Sequence, residues 1–395
     1  MHIPDNYLSP QTCAVMTVAM VPVWAISVRK LGASLGRQPE KDTEGQLLSE
    51  TQDTGKKNRR RLTMLGAAAA FSFLGMMFNI PLPGGTTGHA VGGTLTAILA
   101  GPYGACISVS VALLLQALLF GDGGILAFGA NCFNMAFVMP FVGYGLYLLI
   151  AGRPGRESKC HMGHEKAAGE VSARELLGVV IGSYSGINAA ALCAAIEFGI
   201  QPLLFRDAAG MARYCPYPLS VSIPAMMAGH LTIFGLAEVV YTGAVFTFLA
   251  KTAPELLTGR VNNGLGGTES AETEEGAGGL AAKGKRLGTR AVPVLLGLLM
   301  VLTPFGLLAE GTAWGEWGTD EIAATGAGYT PSGMANGFSY EALLPDYSLG
   351  NAPAAVGYVL SALLGTAILL IVFRLFTMKK NKNGRPAYRA GDKEL

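Results

Sequence analysis

The sequence predicts an all-α, polytopic membrane protein with a core of seven transmembrane helices, a linker and a two-span C-terminal appendix. Three observations carry this. Half of the 395 residues are hydrophobic and only 14% are charged, against about 25% in soluble domains. The apolar residues gather into nine runs, most of them near the roughly 20 residues a helix needs to cross a bilayer. The basic residues fall almost entirely into alternate gaps between those runs.

The first run, 8–28, follows a polar tip, MHIPDNYLSP. The tip has neither a basic stretch nor a small-residue cleavage site, so it does not read as a signal peptide. Runs 62–80 and 88–100 come next. As a helix, the latter covers only about 20 Å. Runs 102–120, 125–150, 176–200 and 219–250 complete the core, and 292–309 and 354–373 form the appendix. With the N-terminus outside, segments 29–61, 151–175, 251–291 and the tail from 374 lie inside and hold 27 of the 29 Lys and Arg. That bias sets the N-terminus outside and the C-terminus inside. It also requires 88–100 to be a true crossing, because a re-entrant segment would turn over every later loop. The preceding stretch, PLPGGTTGHAVGG, is expected to dip into the membrane from outside. Irregular backbone at that depth has to line protein or a water-filled cavity.

The division that follows is a core over 1–250, a flexible cytoplasmic linker over 251–290, and a two-span unit over 291–395. The outer loop of that unit, 310–351, carries six Asp and Glu and no Lys or Arg. Residues 38–57 and 259–285 are poor in large apolar residues and are expected to be disordered. The six cysteines show no CxxC spacing and lie mostly in apolar runs, as small buried hydrophobes rather than a disulfide framework.

Five histidines are present: His2, His89, His161, His164 and His230. By the topology, His2 and His89 face the same side. The terminal amine, the residue-2 amide nitrogen and the His2 imidazole can close two fused chelate rings on one metal ion. A second imidazole completes a square-planar nitrogen set of the kind that suits Ni(II) or Cu(II). The alternative for the tip is a frayed, exposed terminus. IPLPGGTTGH reads as a ligand clamp or as a plain turn between spans, and it lacks the GKS/GKT of a phosphate loop. Asp5 in the tip and Asp122 in GDGG are cavity candidates. Asp122 either attracts cations or is an exposed turn residue. Asn131 and Asn134, three apart, are interhelical glue or donors that orient a metal ligand. His230 and Glu238 are ionisable groups within a span, where function and a structural hydrogen bond compete as explanations. Cys160, His161 and His164 form an incidental or metal-binding cluster on the inner side. Gly66 and Ala70 mark a small-residue face for another helix of the chain or for a partner subunit. There is no nucleotide-binding loop, HExxH or Ser/His/Asp signature. ATP hydrolysis is therefore expected elsewhere; the net charge of +2 says nothing about a nucleic-acid partner, and none is expected.

MHIPDNYLSP, NIPLPGGTTGHAVGGTLTAILAGPYGA and LLLQALLFGDGGILAFGANCFNMAFV resemble the nickel/cobalt substrate-binding component of energy-coupling factor transporters. LTPFGLLAEGTAWGEWG and LLPDYSLG resemble the small two-span auxiliary component that is often fused to it. The resemblance implies a prokaryotic cell-membrane protein surrounded by lipid. It also implies separate partners, a transmembrane coupling subunit and cytoplasmic ATPase subunits, with Gly66 and Ala70 as docking candidates for the former. It implies a metal held at the outer face by the amine of Met1, the backbone nitrogen and imidazole of His2, and the imidazole of His89. The cobalt branch opens MHIMEG, with a loop closer to SVTGSCSHPTG, so Ni²⁺ is the expected substrate and Co²⁺ the alternative. A membrane metalloenzyme using His230 and Glu238, and a scaffold with incidental histidines, are the readings from other classes. One departure is Asn6, where the family has glycine. Asparagine tolerates the left-handed conformation better than most residues.

Overall fold

The computed structural model describes residues 1–36, 47–82, 85–152, 171–258, 280–309 and 311–379. A long apolar segment in lipid must satisfy its own backbone hydrogen bonds, so these runs become helices. They are α1 (Pro10–Gly36), α2 (Leu47–Met76), α3 (Gly93–Phe120), α4 (Phe128–Ala151), α5 (Ala173–Leu204), α6 (Leu219–Thr252), α7 (Leu280–Leu302) and α8 (Ala354–Lys379). Seven helices among the described residues are long and apolar enough to cross a membrane, and Arg61–Met76 within α2 is a shorter apolar segment. Cys160, His161 and His164 lie outside the described residues.

The nine apolar runs map onto these eight helices because the third and fourth join as α3. They are not collinear. Gly101 is non-helical, at φ 74° and ψ 161°, and is followed by Pro102. Thr96 Oγ1 donates to Ala68 O at 3.4 Å, while Ser108 Oγ donates to Leu65 O at 3.0 Å. Twelve residues of straight helix would separate those two side chains by about 18 Å, against about 5 Å between their acceptors. Helix α3 is therefore sharply bent at Gly101, with both halves against α2, and the run expected to cross on its own is the first part of one membrane-length helix, Gly93–Phe120.

Two expectations are corrected. Helix α2 begins at Leu47 and α7 at Leu280, so part of each stretch expected to be disordered is helical. The Gly66 face is not open to a partner. A Cβ there would lie 3.2 Å from Phe373 Cβ and 3.5 Å from Leu370 Cα of α8, and Ala70 is fully buried. The small-residue face of α2 is covered by the last helix of the same chain.

The closest helix pair is built on glycine. Added Cβ atoms at Gly178, Gly182 and Gly186 of α5 would stand 3.2, 2.5 and 2.8 Å from the carbonyl oxygens of Tyr147, Gly143 and Met139 of α4. Four-residue spacing on both helices brings the backbones into direct contact, close enough for Cα–H···O contacts. The outward face of α1, with Val15, Val18 and Ile26, is exposed for lipid. Among the described residues the cysteines are free, as expected, and four of the five are buried.

The loop after α7 folds over one end of the bundle. Trp314 N donates to Thr86 Oγ1 (2.8 Å), Gly333 N to Arg213 O (2.7 Å) and Leu344 N to Leu119 O (2.8 Å).

Gly182→Ala puts a methyl group into a backbone carbonyl and is expected to lower stability in detergent by about 1–3 kcal/mol. Gly145→Ala, with nothing within 4 Å of its added Cβ, is expected to leave the thermal midpoint unchanged. Equal midpoints for the two variants would refute the close-contact reading of α4 and α5.

Candidate metal centre

The N-terminal tip is not frayed. Met1, His2 and Ile3 are all buried. Asn131 of α4 grips Ile3 as a neighbouring strand would: Ile3 N donates to Asn131 Oδ1 (2.7 Å) and Asn131 Nδ2 donates to Ile3 O (3.0 Å). Gly124 N also donates to Ile3 O, at 2.8 Å. The Asp5 carboxylate accepts from Ile125 N at 3.1 Å and from Leu126 N at 2.7 Å. The tip is thereby laced to the GDGG turn. Asn6 takes the left-handed conformation, at φ 66°, and its amide has a use that glycine could not serve. Its Nδ2 donates to Phe338 O (2.8 Å) and its Oδ1 accepts from Phe338 N (2.9 Å), tying the tip to the loop after α7.

The glycine-rich stretch is more ordered than an irregular loop. Ile80–Leu82 and Thr86–Gly88 pair as a two-stranded antiparallel hairpin, with Ile80 opposite Gly88. His89 follows at once, and its ring stacks on that of His2 with centroids 4.8 Å apart and planes at 29°. His89 Nδ1 sits 3.2 Å from Ala90 O. The Nε2 atoms of both rings are buried and have no partner. Burial, then the charges of the N-terminal amine and His2, hold the His89 imidazole well below its ordinary pKa, so it is neutral with a lone pair available.

Two carboxylates hold the remaining donors. Glu316, from the loop after α7, accepts from the Met1 amine at 3.0 Å. Asp122 Oδ1 lies 2.5 Å from His2 Nδ1. Asp122 Oδ2 accepts from Gln116 Nε2 at 3.1 Å and from the Tyr347 hydroxyl. Burial alone would raise the Asp122 carboxyl; the charge and hydrogen bond of His2 outweigh it and hold the acid below the usual carboxylate range. Asp122 is therefore a half-buried partner of His2, not a plain turn residue.

The other candidates stand further off. Asn134 does not share the partner of Asn131, and its Nδ2 donates to Glu197 Oε2 at 2.9 Å. His230 Nδ1 bonds Met226 O at 2.8 Å. The same ring lines a small cavity with Met1, Gly88 and Trp314. Glu238 accepts from the backbone of Val91 and Gly92. Sequence reasoning missed Glu316, Gln116 and Tyr347 as site residues. The first lies in the acidic loop and the last in LLPDYSLG, both noted without a role. Three π-helical turns, Gln116–Phe120, Cys132–Val138 and His230–Phe234, carry polar residues towards this end of the bundle, and such turns recur at functional sites. Among the described residues, no three His, Cys, Asp or Glu side chains are grouped to hold a metal.

A buried pair of imidazoles beside the Met1 amine, in a bundle of membrane-length helices, is a nitrogen-rich site in a membrane protein, and the chain's relatives are membrane components of transition-metal transport. Residues 2–256 match the CbiM family, described as the cobalt uptake substrate-specific transmembrane region, and residues 288–381 match the PDGLE domain. The chain belongs to that family of substrate-specific transmembrane components, here continued by a PDGLE domain. It is 45% identical over 379 residues to the probable fused nickel transport protein LarMN of Lactiplantibacillus plantarum, covering 95% of this chain and 97% of that one. It is 43% identical over 388 residues to the fused nickel transport protein NikMN of Rhodobacter capsulatus, covering 94% and 95%. A crystal structure of a transition metal transporter is 48% identical, covers 64% of this chain and 93% of its own, and superposes with a TM-score of 0.49.

If the lacing holds the tip in place, Asn131→Ala and Glu316→Ala are each expected to speed acylation of the Met1 amine by a water-soluble reagent. The readout is mass spectrometry of the N-terminal peptide. Rates equal to that of the parent chain would show that these bonds do not bury the terminus.

Proposed function

We propose that the chain is the substrate-binding subunit of an ATP-driven importer that takes up Ni²⁺ at the outer face of a prokaryotic cell membrane. Energy would come from a transmembrane coupling subunit and cytoplasmic ATPase subunits, since no nucleotide-binding loop occurs in the sequence. One observation supports the reading above the others: the Met1 amine, the His2 ring and the His89 ring are gathered and buried at one end of the bundle. The metal's four nitrogens would be the Met1 amine, the His2 amide, His2 Nδ1 and His89 Nε2. The ring through the His2 side chain closes only through Nδ1, so the ion has to displace Asp122 there and Glu316 at the amine. Those carboxylates would hold the donors together until the ion takes their place.

The same reading sets the N-terminus outside and the C-terminus inside, with binding in the 1–250 core. The 291–395 unit would then reach the metal through Glu316 and Tyr347. Nickel is favoured by MHIPD, PLPGGTTGH and the fused nickel relatives; the cobalt description of the matched family keeps Co²⁺ as the second reading.

Purified full-length protein is expected to bind Ni²⁺ more tightly than Co²⁺. His2→Ala, His89→Ala or one residue added ahead of Met1 is each expected to abolish binding. Unchanged affinity with the added residue would remove the amine from the ligand set. Protons compete with metal for the amine and the imidazoles, so affinity is expected to fall as pH is lowered below neutrality. A titration that is flat with pH would argue against nitrogen ligation. Uptake in reconstituted membranes is expected to require the ATPase partners.

A further inference from the structure

His89 sits on a stretch with few bonds of its own. Between the hairpin that ends at Gly88 and the helix that begins at Gly93, the backbone is held from outside. Glu238, fully buried in α6, places one oxygen, Oε2, between two backbone donors: Val91 N at 2.8 Å and Gly92 N at 3.0 Å. Its other oxygen accepts from Thr242 Oγ1, one turn further along α6, at 3.0 Å. From the opposite side Ser72 Oγ of α2 donates to Val91 O at 2.8 Å. Gly92 is left-handed, at φ 68°, and a Cβ there would meet the Tyr241 ring at 2.9 Å. Tyr241 in turn donates to Phe71 O at 2.5 Å. Residues 91 and 92 are clamped between α2 and α6, two residues from the imidazole.

We propose that Glu238 is a positioning residue: its bonds to Val91 and Gly92 fix where the His89 ring stands over His2, and so set the geometry of the metal site. This rests on the reading that His89 is a ligand. A carboxylate in this place also answers the free N–H groups at the start of α3. What the geometry uses is reach and an acceptor, not charge. One oxygen serves both backbone donors, and the other partner is a hydroxyl that can turn to accept. A glutamine keeps all three bonds, with its amide oxygen on the backbone and its NH₂ on Thr242. An aspartate keeps the charge but is one methylene short. Outer-shell residues that orient a metal-bound histidine typically account for about 10- to 100-fold in affinity.

The test uses the full chain in detergent, with Ni²⁺ affinity and the ligand-field absorption of the bound ion as readouts. Glu238→Gln is expected to bind like the parent, with the same band. Glu238→Asp is expected to lose about 10- to 100-fold in affinity and to shift the band, while remaining monodisperse. Parent-like behaviour of the aspartate variant would overturn the proposal. So would loss in the glutamine variant, which would make charge the relevant property. If the aspartate variant does not fold, the band of the glutamine variant decides alone: an unchanged band supports the proposal and a shifted one overturns it. His89→Ala separates the two layers. If it retains parent affinity, the ligand assignment fails and the proposal with it. If it loses binding while Glu238→Asp keeps it, only the anchoring role fails.

Discussion

The constraint on which the rest of this structure depends is that a chain terminus is buried. An N-terminal amine is charged, and taking a charge from water is costly unless partners replace the solvent. Here the tip has no secondary structure of its own to satisfy its backbone. Side chains do that work: Asn131 on Ile3, Asp5 on the turn after α3, and Gln201 Oε1 accepting from Ser9 N at 3.0 Å. The polar residues within the spans make sense from this end. Several of them substitute for the strand or the water that the tip lacks.

The same constraint explains how the two parts of the chain meet. The PDGLE-like region does not merely stand beside the core. Its last helix lies in the small-residue groove of α2, and its loop supplies Glu316 to the amine, Tyr347 to Asp122 and the backbone of Phe338 to Asn6. Two of these contacts fall directly on the first ten residues, and the third reaches them through Asp122, the partner of His2. Fusing the two parts into one polypeptide keeps them at a fixed ratio and within reach of each other.

Much of this was legible in the residues. Apolar runs marked the helices, but the short run before Gly101, read as a crossing of its own, is joined to the next run across the Gly101 bend. Topology placed His2 and His89 on one side of the membrane and position 2 gave His2 a chelating option, but the pairing of the two rings was implied only by the family resemblance. What was not legible had physical reasons. The glycines of α5 at four-residue spacing were visible, but that they meet α4 rather than another helix depends on packing. A π-turn leaves no composition signal, so the direction of Gln116 or His230 could not be read. Glu316 was one of six acids on a polar loop, and nothing local distinguishes the one that folds back over 300 residues to Met1. The side-chain role of Asn6 required knowing that Phe338 lies above it.

The π-turns have one more consequence. Each inserts a residue into the helical count, and one residue is about 100° of rotation. In α4 and α6, the face presented on one side of such a turn is out of phase with the face on the other. Towards the tip these helices offer Asn131 and the Gly229 face; beyond the turn they offer the glycine contact with α5 and the Glu238 anchor. A single-residue deletion at Cys132–Val138 would leave both halves helical and apolar, and would still point Asn131 away from Ile3. Hydropathy would not register the change. The phase change lets a single helix, α4, give Asn131 to the tip and, on another face, its glycine contact to α5.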